Sequence, residues 1–508
     1  MHMEFSTSGA ALVLCAITLI LVALHGRRKY PGRSFPPGPQ PWPLVGNLFQ
    51  MERQIHLSLT KLREQYGDVF QVKLGSMEVV VLSGYSTIKD ALVRQADAFA
   101  GRPELFSFSA IANGTSMSFS EKYGEAWVLH KKICRNALRT FSQTKPQDSS
   151  ASCLLEERIS AEATYMVETL KEQGQEAGNS GIDPTQLLVT SVANVVCTLC
   201  FGKRYAHDDK EFLTIVNVNT EVLRLFAAGS LVDFFPIFQY LPNPALRKML
   251  EFINRMNNFM EHHIQEHLAT FDRNCIRDIT DALIAMCEDR QEGEESSLLS
   301  DSQIVHSVIE LFGAGFDTII TGLQWSLLYL IKFPDIQAKI FEEIDSQVGM
   351  DRLPQLKDKP SMPYTEAFMF EVFRHASYMP FTIPHSTTED VTLNGFFIPK
   401  DTCVFINQYQ VNHDKEIWED PNLFQPQRFL TLSGHLNKNL SEKVMIFGMG
   451  IRRCLGDSVA RLEMFMFITT LLHRLHIENV PGQELDLSPL FGLTMKPKPF
   501  RIKIVPRN

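Results

Sequence analysis

The sequence predicts a mainly α-helical protein with small β-sheets, folded as a single large domain around a long central helix. Short runs of β-branched residues, such as VVVLSG at 79–84, alternate with long stretches of helical periodicity. The stretch from about Ser302 to Ile331 is apolar on every side, as expected of a helix that crosses a protein interior. No Pro/Gly/Ser-rich linker follows residue 40, so the sequence gives no boundary between separate domains.

The composition is that of an ordinary globular protein. Of the 508 residues, 44% are hydrophobic and 21% are charged, which provides for a large buried core. The net charge of −9 argues against nucleic acid as the main partner, because nucleic-acid-binding domains are usually basic. We therefore expect no nucleic acid partner.

The cysteines do not form a secreted disulfide framework. Nine of them are spread irregularly between Cys15 and Cys454, which predicts reduced thiols in a cytosol-facing compartment. The pair Cys197 and Cys200 has the spacing of a redox or metal motif, but it lies in the apolar run VANVVCTLCF without a second pair. Buried core cysteines are the favoured interpretation of this pair.

The N-terminus contains a membrane-directed segment. The apolar run Ala10–Leu24 is shorter than the roughly 20 residues that span a bilayer comfortably, so a cleaved signal peptide is the alternative. Basic residues follow the run at 25–29, which favours a retained anchor with its N-terminus in the lumen. We expect an anchor with a basic stop at residues 1–30, a proline-rich linker at 31–45 and the folded domain at 46–508.

The long apolar helix contains residues that a buried helix does not favour. Gly313, Gly315, Asp317 and Thr318 follow one another closely in LFGAGFDTII. An ordinary polar face is the alternative, but the surrounding residues are apolar. This cluster indicates a functional site.

The most specific chemical signal is a cysteine at a loop-to-helix junction. Cys454 lies in FGMGIRRCLG, whose glycines allow tight turns near the sulfur, and the amides at the start of the following helix can stabilise a thiolate. The spacing FxxGxRxCxG resembles the cysteine-ligand loop of the cytochromes P-450. Four further segments match that family in order and cover nearly all of the chain after residue 36.

The resemblance implies a supporting cluster behind the cysteine loop. Glu371 and Arg374 form the ExxR motif on one helical face, and Arg428 in FQPQRF completes a Glu-Arg-Arg cluster. The family usually has glutamate where this chain has Gln427, a difference that weakens a local ion pair. ExxR alone would indicate no more than a surface ion pair.

The resemblance also implies haem b, bound through its iron to Cys454. Lysine at 131 replaces the family's usual propionate-binding arginine and loses its bidentate fork, so His130 or Lys132 could share the role. For His385, the alternative to contact with haem is that it is a histidine on the protein surface. The residues implied to contact haem are Trp127, Lys131, His385, Phe447 and Arg452.

By the same resemblance the chain is an unspecific monooxygenase. Asp317 and Thr318 match the family's oxygen-activating segment, where a local opening of the helix makes room for dioxygen and the acid and hydroxyl supply protons. The co-substrates are O2 and NADPH, whose electrons arrive through NADPH-cytochrome P-450 reductase, with cytochrome b5 as a second partner. An isomerase or dehydratase acting on lipid peroxides is the alternative, and a non-catalytic haem sensor ranks last.

Longer strings, such as PFTIPHSTT and FGMGIRRCLG, are similar to family 1, the aryl-hydrocarbon-hydroxylase group. That group oxidises lipophilic, planar aromatic substrates and also some steroids and fatty acids at the endoplasmic reticulum membrane. Val222 stands where close relatives often have phenylalanine, which favours a less common branch, the D subfamily. The residues implied to line the substrate pocket, each of which could instead be plain core, are Phe119, Val222, Ala314, Phe316, Met379, Ile383 and Leu493.

A basic surface could bind the reductase. Solvated surface charge is the alternative interpretation. The residues concerned are Lys131, Lys132, Arg135, Arg139, Lys443 and Arg453.

Overall fold

A computed structural model describes residues 30–112, 116–142, 154–227, 231–291 and 301–507. The expected membrane anchor falls almost entirely outside these residues. The described part of the chain is mainly helical with small sheets, as the sequence predicts.

Sixteen α-helices form within the described ranges. They are α1 Ile55–Tyr66, α2 Tyr85–Lys89, α3 Phe106–Ala112, α4 Glu125–Ser142, α5 Leu154–Ala177, α6 Thr185–Phe201, α7 Lys210–Ala227, α8 Leu231–Phe234, α9 Pro244–Thr270, α10 Ile279–Gln291, α11 Asp301–Lys332, α12 Pro334–Val348, α13 Pro363–Ala376, α14 Gln408–Asn412, α15 Lys438–Ser441 and α16 Asp457–Arg474.

Eight short strands form three sheets in the same ranges. The largest has the order β1-β2-β6-β3, with β1 antiparallel to β2 and β2 parallel to β6, while β4 pairs with β5 and β7 with β8. The strands are β1 Val69–Leu74, β2 Met77–Leu82, β3 His385–Ser386, β4 Val391–Leu393, β5 Phe396–Ile398, β6 Cys403–Ile406, β7 Leu475–Asn479 and β8 Ile502–Pro506.

Helix α11 runs through the centre of the protein. Phe312, Phe316 and Trp325 are almost completely buried on it, and it packs against α6, α13 and α16. Among the described residues, Ser302–Lys332 is the one helix long and apolar enough to cross a membrane, yet most of its apolar window is buried in the protein. It is therefore the interior helix that the sequence predicts.

Cys197 and Cys200 lie on α6 and are almost completely buried. Burial raises the pKa of both thiols, so they stay protonated. The prediction of core cysteines is confirmed.

Candidate functional site

A buried Glu-Arg-Arg cluster fixes the region behind the cysteine loop. Arg374 forms a bidentate ion pair with Glu371, with Nε–Oε2 and Nη2–Oε1 distances of 2.7 and 2.8 Å. Arg428 Nε lies 3.1 Å from Glu371 Oε1. The remaining Arg374 nitrogen donates to the carbonyls of Asn412 and Pro421, so the cluster ties α13 to the chain that leads towards the cysteine.

The structure thus brings the three predicted members of this cluster together. Gln427 is exposed, and its amide donates to the hydroxyl of Tyr364 over 3.3 Å. The glutamine therefore leaves the buried ion pairs intact.

The cysteine loop requires glycine at a close backbone contact. Gly450 has φ +71°, and a Cβ there would lie 1.8 Å from the carbonyl oxygen of Leu92. The amide of Cys454 donates to Phe447 O over 2.9 Å and closes the loop. Helix α16 begins at Asp457, so the cysteine lies just before a helix N-terminus, as predicted.

The side chain of Cys454 is accessible although protein surrounds the loop. Desolvation raises the pKa of its thiol, and this effect is opposed by the Gly456 backbone amide and by the positive charges of Lys131 and Arg453. A cation bound at the sulfur would add the charge needed to hold the thiolate form.

Two arginines near the cysteine loop donate only to backbone carbonyls. Arg102, which is 5% exposed, donates to Ser118 O, Ile383 O and Pro384 O at 2.8 to 3.2 Å. Arg452 donates to the carbonyls of Ala100, Met117 and Ser120. Neither arginine pairs with a carboxylate among the described residues.

The buried guanidinium group of Arg102 and the half-buried one of Arg452, neither hydrogen-bonded to a carboxylate among the described residues, fit an anionic ligand. Burial and the charge of Arg452 lower the pKa of Arg102, and the nearby carboxylate of Glu310 opposes part of this effect. Haem carries two propionate carboxylates, so these donors and the accessible thiol of Cys454 fit that group. No spacing in AFAGRPELF marks Arg102, so its role could not be predicted from the sequence.

Trp127 packs against the same cations. Its indole N–H donates to Met117 O over 2.8 Å, and its ring lies 3.9 Å from the guanidinium carbon of Arg452 and 5.4 Å from Lys131 Nζ. This arrangement orders Arg452 through a cation–π contact. A direct contact of Trp127 with haem stays a prediction.

Lys131 points towards the cysteine loop. Its ammonium group donates to the carbonyls of Ile451 and Arg453, and the residue is 7% exposed. Burial lowers its pKa to about 8. The expectation that Lys131 belongs to an exposed docking face is therefore wrong, whereas its contact with a propionate stays a prediction.

Two histidines near these cations are buried. His385 is 2% exposed and its Nδ1 lies 2.8 Å from Phe99 O, which excludes a surface histidine. His130 contacts the hydroxyl of Ser307 on α11 at 2.5 Å. His385 therefore remains a candidate haem contact, while His130 faces the central helix.

One face of α11 is accessible within an otherwise buried helix. Ala314 is exposed and Thr318, one turn later, is half-buried, whereas Phe312, Phe316 and Ile319 are buried. The Thr318 hydroxyl donates to Ala314 O over 3.0 Å. The helix is continuous from Asp301 to Lys332, and the local opening implied by the resemblance stays a prediction.

Asp317 is buried and has two side-chain partners. Its Oδ1 lies 2.7 Å from Lys496 Nζ, and its Oδ2 accepts from Thr494 Oγ1 over 2.9 Å. Its carboxylate therefore points towards the C-terminal segment. The sequence places Thr494 and Lys496 in the string GLTMK but gives no sign that they bind this acid.

Glu310 lies one turn before Ala314 on α11 and was also missed. It accepts hydrogen bonds from the amide and hydroxyl of Ser118 at 3.0 and 2.9 Å. Burial raises the pKa of this carboxyl. Glu310 thus fastens the chain around Phe119 to the central helix.

The structure places the predicted pocket residues in different environments. Phe119, Met379 and Ile383 are half-buried, and Leu493 is exposed next to Thr494. Each of these stays a prediction as a substrate contact.

Three other residues predicted to contact substrate or haem, Phe316, Val222 and Phe447, have different environments. Phe316 is fully buried against Phe312, about 200° around the helix from Ala314. Val222 is in α7, and its side chain lies outside the described residues. The ring of Phe447 packs against Phe373 with a centroid distance of 5.5 Å.

Comparison with known proteins identifies the family of this chain. A family model described as Cytochrome P450 matches residues 36–504. The chain belongs to the cytochrome P450 family. Cytochrome P450 1A1 of Rattus norvegicus is 49% identical over 495 residues, covering 96% of this chain and 94% of the relative. The Canis lupus familiaris and Homo sapiens proteins of that name are 48% and 46% identical, each over 96% of this chain and 93% and 95% of the relative.

These relatives place the P450 in family 1, as the sequence resemblance implies. It is a haem-thiolate monooxygenase of xenobiotic aromatic substrates, and it uses O2 and NADPH through a reductase. The isomerase or dehydratase alternative is not favoured. The assignment to a D subfamily stays a prediction.

Proposed function

We propose that this P450 inserts one oxygen atom of O2 into planar, lipophilic aromatic compounds held against the accessible face of α11. The observation that carries the proposal is that Ala314 is exposed and Thr318 half-buried in the middle of a helix whose neighbouring residues Phe312, Phe316 and Ile319 are buried. A small side chain beside a hydroxyl leaves room for a flat ring system.

In this proposal Cys454 would hold the haem iron through its thiolate sulfur. Arg102 and Arg452 bind the propionates, with Trp127 ordering Arg452 and with Lys131 and His385 nearby. When bound, the thiolate-ligated haem activates dioxygen with two electrons. Phe447 and the Glu371, Arg374 and Arg428 cluster support the cysteine loop.

Asp317 and Thr318 supply protons to the accessible face of α11. Monooxygenation consumes two protons for each O2, and one oxygen atom leaves as water. The Thr318 hydroxyl can give up its proton only if another group supplies a new proton to it. Asp317 is the adjacent acid and can supply that proton. An acid and an alcohol on neighbouring positions of the helix can therefore move protons into an apolar site.

The pocket is proposed to be lined by apolar side chains from five parts of the chain. Aromatic and aliphatic walls favour flat hydrophobic substrates through area burial and ring stacking. The residues are Phe119, Val222, Ala314, Met379, Ile383 and Leu493, and Phe316, buried on the other side of α11, is proposed to support this wall from behind.

The domain at 46–508 is proposed to face the cytosol at the endoplasmic reticulum membrane, held by an anchor at residues 1–30 through the linker at 31–45. The reductase would dock on a cationic face formed by Lys132, Arg135, Arg139, Lys443 and Arg453. Exposed residues on this face include Lys132, Arg135 and Arg139, which follow one another on α4 at helical spacing. Cytochrome b5 is a second candidate for this face.

The function is tested by the carbon-monoxide difference spectrum of the reduced protein, followed by turnover of an alkoxyresorufin ether with NADPH and reductase. The expected result is a red-shifted thiolate-type band with fluorescent product, and Cys454→Ser should lose that band. A matched Cys403→Ser variant, altered at a buried cysteine of β6, should keep it. A band without NADPH-dependent product would instead indicate the isomerase or dehydratase class.

A further inference from the structure

The β4–β5 hairpin ends in an exposed two-residue turn made of Asn394 and Gly395. Leu393 pairs with Phe396 across the hairpin, so these two residues alone form the loop. Asn394 has φ +50° and Gly395 has φ +82°, the positive values that a type I′ turn requires. A Cβ at Gly395 would meet no atom within 4 Å, so the turn protrudes into open space.

The side-chain amide of an asparagine that precedes glycine is chemically labile. The glycine nitrogen attacks the asparagine Cγ, because glycine has no side chain to hinder the approach. A cyclic imide forms as ammonia leaves, and one water molecule then opens the ring at either carbonyl. The product is aspartate or isoaspartate, and the reaction consumes no reactant except water. Among the described residues, Asn394 with Gly395 is the one Asn-Gly pair.

A hydrogen bond holds this amide against α2 in the folded protein. Asn394 Nδ2 donates to Thr87 Oγ1 over 2.9 Å. The Thr87 hydroxyl in turn donates to Asp68 Oδ2 over 3.4 Å, and the other oxygen of Asp68 lies 2.7 Å from Arg63 Nε. The Asn394 amide therefore connects the tip of the hairpin to α2 and, through Thr87, to a carboxylate.

The same hairpin holds the segment that follows the expected membrane anchor. The Phe397 amide donates to Ser34 O over 2.7 Å. The centroid of the Phe397 ring lies 4.9 Å from that of Tyr30 and 5.8 Å from that of Phe35. The labile turn is thus the tip of the element that fixes the linker to the folded domain.

We propose that Asn394 is a site of spontaneous deamidation, and that its conversion to aspartate or isoaspartate releases the β4–β5 hairpin from α2. The reaction replaces an amide donor with a carboxylate. Thr87 has one hydroxyl proton and cannot donate to this carboxylate and to Asp68 at once, and the two negative charges repel each other. The inference does not depend on the proposed function.

Isoaspartate has a second effect on the hairpin. It adds one carbon to the backbone within the turn, so the loop no longer matches the pairing of Leu393 with Phe396. Leu393 and Ile398 are buried, and a change of register would move these side chains away from the core. The hairpin and the linker that it holds should therefore loosen together.

The bond to Thr87 should slow the reaction. While the amide is held by Thr87, its Cγ is not free to turn towards the Gly395 nitrogen. A neutral hydrogen bond contributes about 1 kcal/mol, so its loss should raise the reactive population about fivefold. Thr87→Val should therefore accelerate deamidation about fivefold, whereas an unchanged rate would show that this bond does not control it.

The first experiment follows deamidation in the full-length protein. The protein is incubated for days at mildly alkaline pH in heavy-oxygen water, digested and analysed by peptide mass spectrometry, with aspartate and isoaspartate separated by chromatography. The heavy oxygen separates this reaction from conversion during digestion. Asn422 is the internal control, because it is also exposed but precedes Leu423, whose side chain hinders the attack. If Asn394 reacts no faster than Asn422, the inference is overturned.

The second experiment tests release of the hairpin by hydrogen exchange. Asn394→Asp should increase exchange about fivefold in the peptides covering residues 391–398 and 30–35, because the amide donor is lost. Asn422→Asp adds the same charge at another exposed asparagine and should exchange like the wild type in both peptides. Wild-type exchange in Asn394→Asp would refute the release.

Aged wild-type protein provides the same test without a substitution. Deamidated molecules carry one more negative charge and can be separated from intact molecules by ion exchange. They should show the faster exchange of Asn394→Asp, with a larger effect in the isoaspartate form. If the aspartate variant does not fold, this comparison decides whether the hairpin is released.

Discussion

Arg102 is a buried cation whose role depends on groups distant in sequence. It donates to carbonyls near 118 and near 383, and it lies close enough to Arg452 for that charge to lower its pKa. The Glu310 carboxylate offsets part of the cost of burying this charge, and a further anion nearby would stabilise the guanidinium group more. This is the physical basis for assigning it to a haem propionate.

Arg102→Met should therefore weaken haem retention. A hydrogen bond to a charged group contributes about 1.5–3 kcal/mol, so haem loss to an acceptor protein should accelerate at least about tenfold. Arg94→Met is the control, since Arg94 is exposed and pairs only with Asp90. Equal rates of haem loss in the two variants would contradict the assignment.

His130 makes the protein sensitive to acid. Burial, assisted by the charge of His306, lowers its pKa to about 4 from 6.5. The unfolded chain therefore binds a proton between about pH 6.5 and 4 that the folded protein does not, and stability falls as pH decreases through this window. The loss amounts to about 3 kcal/mol at the lower limit.

His130→Gln should reduce this acid sensitivity. The measurement is the free energy of unfolding in denaturant at several pH values between about 4 and 7. The control is His435→Gln at an exposed position, which should retain the wild-type slope in this window. An unchanged slope in His130→Gln would show that other groups carry the effect.

At the scale of elements, the cysteine loop packs closely against the backbone of the segment that follows α2. Gly450 allows the loop to touch the carbonyl of Leu92, which lies in the short π-helix Asp90–Arg94 after α2. The sequence signals a glycine loop here, but only the packing shows what it contacts.

Gly450→Ala should destabilise the loop more than an equivalent glycine substitution elsewhere. Gly482 also has positive φ, +80° against +71°, but a Cβ there meets nothing within 4 Å. Both alanines carry the backbone cost of about 1–2 kcal/mol, and only Gly450→Ala adds a steric clash. We expect a larger drop in unfolding free energy and a loss of the thiolate-type band for Gly450→Ala alone.

At the scale of the whole molecule, the proposed anchor and the folded domain should separate. A variant lacking residues 1–30 should keep the thiolate-type spectrum while shifting from the membrane to the aqueous fraction, because the described core contains the proposed haem site. The measurement is centrifugation with microsomal membranes followed by the difference spectrum. Unchanged sedimentation would show that the folded domain binds membranes by itself.

The sequence by itself determined the helical class, the central helix, the cysteine loop and the Glu-Arg-Arg cluster. These depend on local spacing, because periodicity sets the buried face of a helix, and fixed intervals bring Glu371 onto the face of Arg374. Glycine near a cysteine likewise indicates a tight loop without knowledge of its neighbours.

Only the tertiary structure decided where the charged groups point. Lys131 turns to the cysteine loop, Arg102 joins Arg452 in the interior, and Asp317 binds Lys496 in place of Thr318. A long side chain on a short sequence motif can reach several partners. Its final partner is set by burial, because a charge removed from water must find an opposite charge or a polar group wherever the fold provides one.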